Sequence, residues 1–127
     1  KNSKQTKIIL KMDLKNELQP IRDWAKEKGI LDRATPLAQC EKTDEEVKEL
    51  FEALYFQHNN QQLFRNSKGE MVNTSHEIKD ALGDILVTII IQAKLQNLDL
   101  MDCLQSAYNV ISKRTGKMVG GQFVKDK

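Results

Sequence analysis

Residues 74–96 read TSHEIKDALGDILVTIIIQAKLQ, and this stretch decides the fold. It opens with Thr74-Ser75-His76-Glu77, which has the form of a capping box at a helix start. Apolar residues then recur with the period of an α-helix, at Ile78, Leu82, Ile85, Leu86 and Ile89. The pattern predicts one long helix that continues to about Gln96 and forms the centre of the core.

Three further helices are predicted around this one. The first begins at Asp13, a helix-capping residue, and ends at Gly29. The second begins at Thr35-Pro36 and continues to about His58, because proline is favoured at the first helical position. Its apolar stripe consists of Val47, Leu50, Phe51, Leu54 and Tyr55. The last helix begins at Asp99 and continues to about Arg114.

The remaining segments predict no sheet. Residues 59–73 are polar and turn-forming, and they predict a loop with at most a short helix around Leu63-Phe64. Gly116, Gly120 and Gly121 are expected to break up the tail. Residues 1–12 are basic around an apolar centre and fit a strand, a short helix or an arm on a partner subunit. The prediction is an all-α, four-helix domain over residues 13–127, preceded by an N-terminal arm.

Composition excludes several classes of protein. A chain of 127 residues with 39% hydrophobic and 30% charged residues fits one globular domain. A net charge of +2, with both signs interspersed, lacks the one-sided basic surface of a duplex nucleic-acid binder. The longest apolar run, 85–91, is far shorter than the roughly 20 residues that span a bilayer. We therefore expect a cytoplasmic protein with no membrane or duplex nucleic-acid partner.

The cysteines predict no metal site. Cys40 and Cys103 lie far apart in the sequence, without the CxxC spacing of zinc ligands. Both are expected to be ordinary buried thiols in a reducing compartment.

Two rows of polar residues on neighbouring helices are the candidates for a functional site. The row on the second helix recurs in steps of three and four residues, within an arc of roughly 80°, and consists of Gln39, Lys42, Glu46 and Glu49. The row on the central helix spans roughly 60° and consists of Glu77, Asp80 and Asp84. Both rows flank apolar faces, so packing these helices together would bring the carboxylates into one groove.

Clustered carboxylates need a counter-ion, and a hard divalent cation with oxygen ligands supplies it. Mg2+ is the natural occupant because it leaves room for water and phosphate oxygens, which suits cleavage of a phosphate ester or a phosphoanhydride. A simpler interpretation stands beside this one. Glu46 closes a capping box with Thr43, Glu77 closes one with Thr74, and the rows only solvate a helical interaction module.

The order and spacing of these acids extend over most of the chain. The central motifs are Glu45-Glu46-x-x-Glu49-Leu50 and Glu77-x-x-Asp80-Ala81-Leu82-Gly83-Asp84. Flanking matches are Trp24-Ala25-x-x-Lys28-Gly29-Ile30 and the segment from Tyr108 to Val119. Together they resemble the MazG-like all-α nucleoside triphosphate pyrophosphohydrolases.

The resemblance implies a helical bundle that is completed by dimerisation or tetramerisation. It implies Mg2+-dependent hydrolysis of a (deoxy)nucleoside triphosphate to monophosphate and pyrophosphate, of the kind that cleans nucleotide pools. By position, Glu46 and Glu49 are the first metal pair and Asp84 closes the second motif. Glu45 is a ligand or the base for the attacking water.

One position departs from the commonest family pattern. That pattern has a glutamate where this chain has Ala81, and a methyl group does not bind metal. The resemblance therefore assigns the missing ligand to Asp80 or to Glu77. A catalytically weak nucleotide-binding protein is the alternative that this alanine raises.

Basic and amide side chains are expected to bind the substrate. On the last helix, Asp102, Asn109 and Lys113 share a face, which points an amide and a cation in one direction. Asn109 is expected to contact the base or sugar. The cations expected to neutralise triphosphate charge are Lys42, Lys113, Arg114 and Lys117.

Overall fold

The computed structural model of the protein describes residues 18–127, so the expected arm and the helix start at Asp13 lie outside the described residues. The described part is mainly helical. Its helices are α1 (18–27), α2 (Ile30–Arg33), α3 (Pro36–His58), α4 (Thr74–Leu95) and α5 (Leu100–Ile111). Its strands are β1 (Leu63–Arg65), β2 (Met71–Asn73), β3 (Gly116–Val119) and β4 (Gln122–Lys125).

The helix starts at Thr35-Pro36 and Asp99 are confirmed. The Thr35 hydroxyl accepts a hydrogen bond from the amide of Ala38 (3.2 Å), and the Asp99 carboxylate accepts one from the amide of Met101 (2.8 Å). Each satisfies a donor that has no partner within its helix. The break at Gly29 is also confirmed, since its φ of 76° is a left-handed conformation that glycine adopts without steric penalty.

Two boundaries differ from the prediction. The cap of α4 is Asn73, whose side chain accepts from the amide of His76 (3.0 Å), and not Thr74. Thr74 is otherwise engaged, because its hydroxyl donates to the carbonyl of Gln61 (2.7 Å). The last helix ends at Ile111 instead of Arg114.

The predicted absence of strands is wrong. Strands β1 and β2 form an antiparallel hairpin, so the short helix expected around Leu63-Phe64 is wrong as well. Strands β3 and β4 form a second hairpin, with Val119 opposite Gln122. Its two-residue turn is Gly120-Gly121, with φ of 57° and 81°, which suits a tight hairpin turn. These glycines organise the tail, where the sequence had suggested that they interrupt it.

The antiparallel pair of α3 and α4 forms the centre of the fold. At one end, the side-chain amide of Gln92 donates to the carbonyl of Pro36 (2.8 Å). Farther along, Gln39 donates to the carbonyl of Thr88 (3.3 Å), and Thr43 donates to the Thr88 hydroxyl (2.9 Å). Small or polar side chains therefore face each other across the pair, and their hydrogen bonds offset the removal of polar groups from water.

The apolar stripe of α3 is largely exposed, contrary to its expected place in the core. Phe51 is 73% exposed, and on α4 both Leu82 and Leu86 are also exposed. The reason is that α3 meets α4 through Gln39, Thr43 and their neighbours. Cys40 and Cys103 are exposed too, which corrects the expectation of buried thiols. Among the described helices, none has the length and apolarity needed to cross a membrane.

Candidate active site

Three glutamates of α3 converge. Glu45, Glu46 and Glu49, which we call the α3 trio, each offer a carboxylate oxygen that lies within 4.8 Å of the other two. Their spacing of three and four residues places Glu45 and Glu49 one turn apart, with Glu46 beside them. Glu46 is only 8% exposed, whereas Glu45 and Glu49 are open to solvent. The trio therefore combines one buried carboxylate with two accessible ones.

Lys42 supplies the positive charge nearest to the trio. Its Nζ lies 2.9 Å from Glu45 Oε1 and 3.4 Å from Glu46 Oε2. The hydrogen bond to Glu45 raises the pKa of Lys42, in opposition to desolvation, which lowers it. Within residues 18–127, Lys42 is the only basic side chain that forms an ion pair with the trio.

Its surroundings in the cluster disfavour the ionised form of the Glu49 carboxyl. Partial desolvation raises the pKa of this carboxyl, and repulsion from Glu46 raises it further. Lys68, in the turn between β1 and β2, has the opposite effect on this pKa. One ion-paired lysine does not neutralise three carboxylates, so the trio suits a divalent cation that prefers oxygen ligands.

Helix α4 carries its acids at the same level as the trio. One turn along α3 from Thr43 reaches Glu46, and one turn along α4 from Thr88, in the opposite direction, reaches Asp84. A further turn pairs the level of Glu49 with that of Asp80.

The two helices present these acids on one side of the pair. On α3, Glu49 comes one position before the half-buried Leu50, and on α4, Asp80 comes one position before the buried Ala81. In an antiparallel pair, the positions that precede the facing residues lie along a common side. We call this the acidic side.

The trio nevertheless stands apart from the α4 acids in the described residues. Asp80 and Asp84 are exposed and Glu77 is half-buried, and none of them joins the group of converging oxygens. His76 Nε2 lies 3.3 Å from Asp80 Oδ2, in an exposed pair. Ala81 is 4% exposed, so its methyl group fills space in the core. Their place among the metal ligands stays a prediction.

Lys42 lies beside the trio, whereas the other four expected substrate-binding residues lie in the C-terminal part of the chain. Asn109 lies on α5, where its side-chain oxygen accepts a hydrogen bond from Gln105 (3.0 Å). Lys113 and Arg114 follow the end of α5, so they are not helical neighbours of Asn109 as predicted, and Lys117 lies on β3. All four are exposed. No hydrogen bond or ion pair in the described part of the chain joins them to the trio.

Two features of the site were not predicted from the sequence. Gln39 belongs to the predicted polar row, but it is buried and holds α3 against α4. Lys68 had no assigned role because residues 59–73 were expected to form a loop. The Ser67-Lys68-Gly69 turn signal was visible, but nothing local indicated which helix it would approach.

A family model matches most of the described helices. The family model described as "MazG nucleotide pyrophosphohydrolase domain" matches residues 34–119, which include the trio, α4 and α5. The searches of curated proteins and of solved structures found no significant match.

We predict that Glu49→Gln stabilises the protein at neutral pH when divalent metal is removed. Because the folded-state pKa of Glu49 lies above its ordinary value of 4.5, ionisation of this carboxyl opposes folding as pH rises through that range. The advantage of the variant should shrink as pH falls toward 4.5 and disappear well below it, where the carboxyl is protonated in both states. Thermal unfolding in a chelating buffer across this range measures the effect.

Excess Mg2+ should reverse the order of stability. At 100 times its Kd, the ion should add about 2.7 kcal/mol to the wild type and less to Glu49→Gln. The exposed Glu27 on α1 provides the control, since Glu27→Gln should respond to Mg2+ as the wild type does. A Glu49→Gln protein that unfolds at or below the wild-type temperature at pH 7 without metal contradicts this account of the cluster.

Proposed function

The chain belongs to the MazG nucleotide pyrophosphohydrolase domain family, and on that basis we propose that it hydrolyses a ribo- or deoxyribonucleoside triphosphate to the monophosphate and pyrophosphate. The proposed cofactor is Mg2+, and the proposed role is the removal of unwanted nucleotides. One observation carries this proposal. The α3 trio gathers three carboxylates around one ion-paired lysine, so it has negative charge available for a metal.

The metal ligands that we propose come from both helices. Glu46 and Glu49 are the α3 ligands, and Asp84 with Asp80 or Glu77 completes the set from α4. The position of these acids along the acidic side supports the proposal, because changes of side-chain rotamer can turn carboxylates on one side toward a shared ion. When bound, Mg2+ supplies positive charge that attracts phosphate oxygens and offsets negative charge developing during cleavage.

Glu45 is the proposed base. It is exposed, and it lies beside the trio's buried member, where an attacking water has access. Lys42 donates a hydrogen bond to Glu45 and thereby holds its carboxylate in position. In this arrangement Glu45 accepts the proton of the water that attacks the α-phosphorus, while pyrophosphate leaves on the opposite side.

Lys113, Arg114, Lys117 and Asn109 are proposed to bind the nucleotide together with Lys42. Their exposure supports this role, since it leaves their charges and amide groups accessible to a ligand. Buried Ala81 supports the alternative of a nucleotide-binding protein with weak turnover, because it removes one carboxylate from the family pattern. Calorimetry with a non-hydrolysable triphosphate separates the two functions, since binding without turnover identifies the alternative.

The function is tested by pyrophosphate release from a panel of ribo- and deoxyribonucleoside triphosphates with Mg2+. Glu46→Gln is expected to lower kcat/KM by about 100-fold or more, because loss of a metal ligand should exceed the 10- to 100-fold effect of losing a supporting contact. Glu27→Gln serves as the control with unchanged activity. If the wild type releases no pyrophosphate from any substrate, the proposed enzyme function is wrong. If Glu46→Gln matches an active wild type, the proposed role of Glu46 as a metal ligand is wrong.

The contribution of α4 has its own test. Asp84→Asn is expected to lower both Mg2+ affinity and kcat/KM by about 10-fold or more, with little change in the unfolding temperature without metal, because Asp84 is exposed. Asp44→Asn is the matched control, since Asp44 is an exposed acid on α3 that pairs with Lys48 (2.9 Å). Equal Mg2+ affinity in Asp84→Asn and the wild type excludes Asp84 as a ligand.

We also propose that the chain forms a homodimer or homotetramer. Val47, Phe51, Leu82 and Leu86 each follow a facing position of α3 or α4, so they lie opposite the acidic side and form an exposed apolar side. Phe51→Glu should shift the protein toward the monomer in analytical ultracentrifugation, whereas Leu98→Glu, at an exposed turn, should not. A wild-type protein that sediments as a monomer at micromolar concentration refutes self-association.

A further inference from the structure

The β1–β2 hairpin is anchored on the side of α3 that carries the trio. Phe64 is 4% exposed and stacks on Phe56, with ring centroids 4.5 Å apart and planes 14° from parallel. Phe56 follows Glu49 by seven residues, or about two helical turns, so both side chains leave the same face of α3. The base of the hairpin therefore lies in line with Glu49.

The hairpin is long enough for its turn to approach the trio. Its base lies near the start of α4, where the Thr74 amide donates to the carbonyl of Gln62 (2.8 Å). From Phe64 the strand advances about 7 Å to the turn at residues 66–70, and α3 covers about 10 Å between Phe56 and Glu49. The turn and a lysine side chain span the remaining distance.

The effect of Lys68 on the pKa of Glu49 is consistent with a turn that lies near the trio. Among the charges that act on Glu49, Lys68 is the leading one that lowers the pKa of its carboxyl, ahead of Lys42 on the same helix. The ammonium group of Lys68 is therefore close enough to the trio for its field to be felt there.

Hydrogen bonds define the turn that carries Lys68. The side-chain oxygen of Asn66 accepts from the amides of Lys68 (3.0 Å) and Glu70 (2.9 Å). Arg65 donates to the carbonyl of Gly69 (2.6 Å), and Gly69 has a φ of 81°, which favours glycine. The backbone at Lys68 is thus set by its neighbours, while its side chain is exposed.

The two lysines that act on the trio differ in whether they form ion pairs. Lys42 is held by Glu45 and Glu46 in two ion pairs. Lys68 forms no ion pair with any other residue in the described range 18–127. Its charge is therefore available to an anion that arrives at the trio, and the phosphate chain of a nucleotide is such an anion.

We propose that Lys68 is a substrate-binding residue, which contacts the phosphate chain of a nucleoside triphosphate seated at the α3 trio. This inference rests on the proposed function. Under this proposal the β1–β2 hairpin contributes a residue to the site, in addition to those of α3 and α4. The proposal also implies two effects of opposite sign, because a cation beside the trio repels a metal ion and attracts a phosphate chain.

Lys68→Gln separates these effects. Removing the ammonium group should raise the KM for the nucleotide by about tenfold, the loss expected for one charged contact of about 1.4 kcal/mol, with a smaller change in kcat. In the absence of nucleotide, the same variant should bind Mn2+, used as the metal probe in electron paramagnetic resonance titrations, about two- to threefold more tightly. Lys68→Arg should restore most of the nucleotide affinity.

Lys48→Gln is the matched control. Lys48 is an exposed lysine of α3 that pairs with Asp44 and is not among the charges acting on Glu49, so its loss should leave KM and Mn2+ affinity unchanged. An unchanged KM in Lys68→Gln overturns the proposal, whether or not Mn2+ binds more tightly, because tighter metal binding alone identifies a lysine that only neutralises the trio.

Failure of the proposed function gives a different result. If the wild type releases no pyrophosphate, the Kd of the non-hydrolysable triphosphate replaces KM as the measurement. Weaker binding by Lys68→Gln then supports the role of Lys68 in a protein that does not hydrolyse its ligand. If the wild type neither hydrolyses nor binds a nucleotide, the proposed function and the role of Lys68 are both wrong.

Discussion

The hydrogen-bonded contact between α3 and α4 is the constraint on which the rest of the structure depends. Gln39 and Thr43 meet Thr88 in the interior, so these helices approach through polar and small side chains. This choice of facing residues sets the rotation of both helices. It places their acids along one side of the pair and large apolar residues along the other, and a rotation of about 100° would bring the apolar residues into the contact instead.

The same contact explains the charge imbalance of the site. Glu46 sits at the edge of the helix interface, where burial reduces its access to water. Glu45 and Glu49 are fixed on successive turns of α3, so their backbone positions do not separate without unwinding the helix. Repulsion is consequently built into the folded state. Sites that must hold a ligand often accept such a loss of stability, because the geometry is ready before the ligand binds.

Local signals predicted the helices well. The starts at Thr35-Pro36 and Asp99 depend on nearby caps. Helical spacing put Glu46 and Glu49 in one polar row, whereas Glu45, which converges with them, was implied only by the family resemblance. The β1–β2 hairpin was missed because it depends on Phe64 finding Phe56, a tertiary contact. The exposed stripe was misassigned for a related reason. Periodicity shows that a helix has an apolar face, but not which neighbour covers it.

The stacked pair of Phe56 and Phe64 has a consequence for how this fold can diversify. The hairpin is secured at its base, whereas residues 67–70 at its tip are exposed and contribute little to the interior. Substitutions at the tip can therefore change the charge that acts on the α3 trio while the core retains its packing. Under the proposed function, substrate preference and thermodynamic robustness become separable traits, which evolution or protein engineering can adjust one at a time.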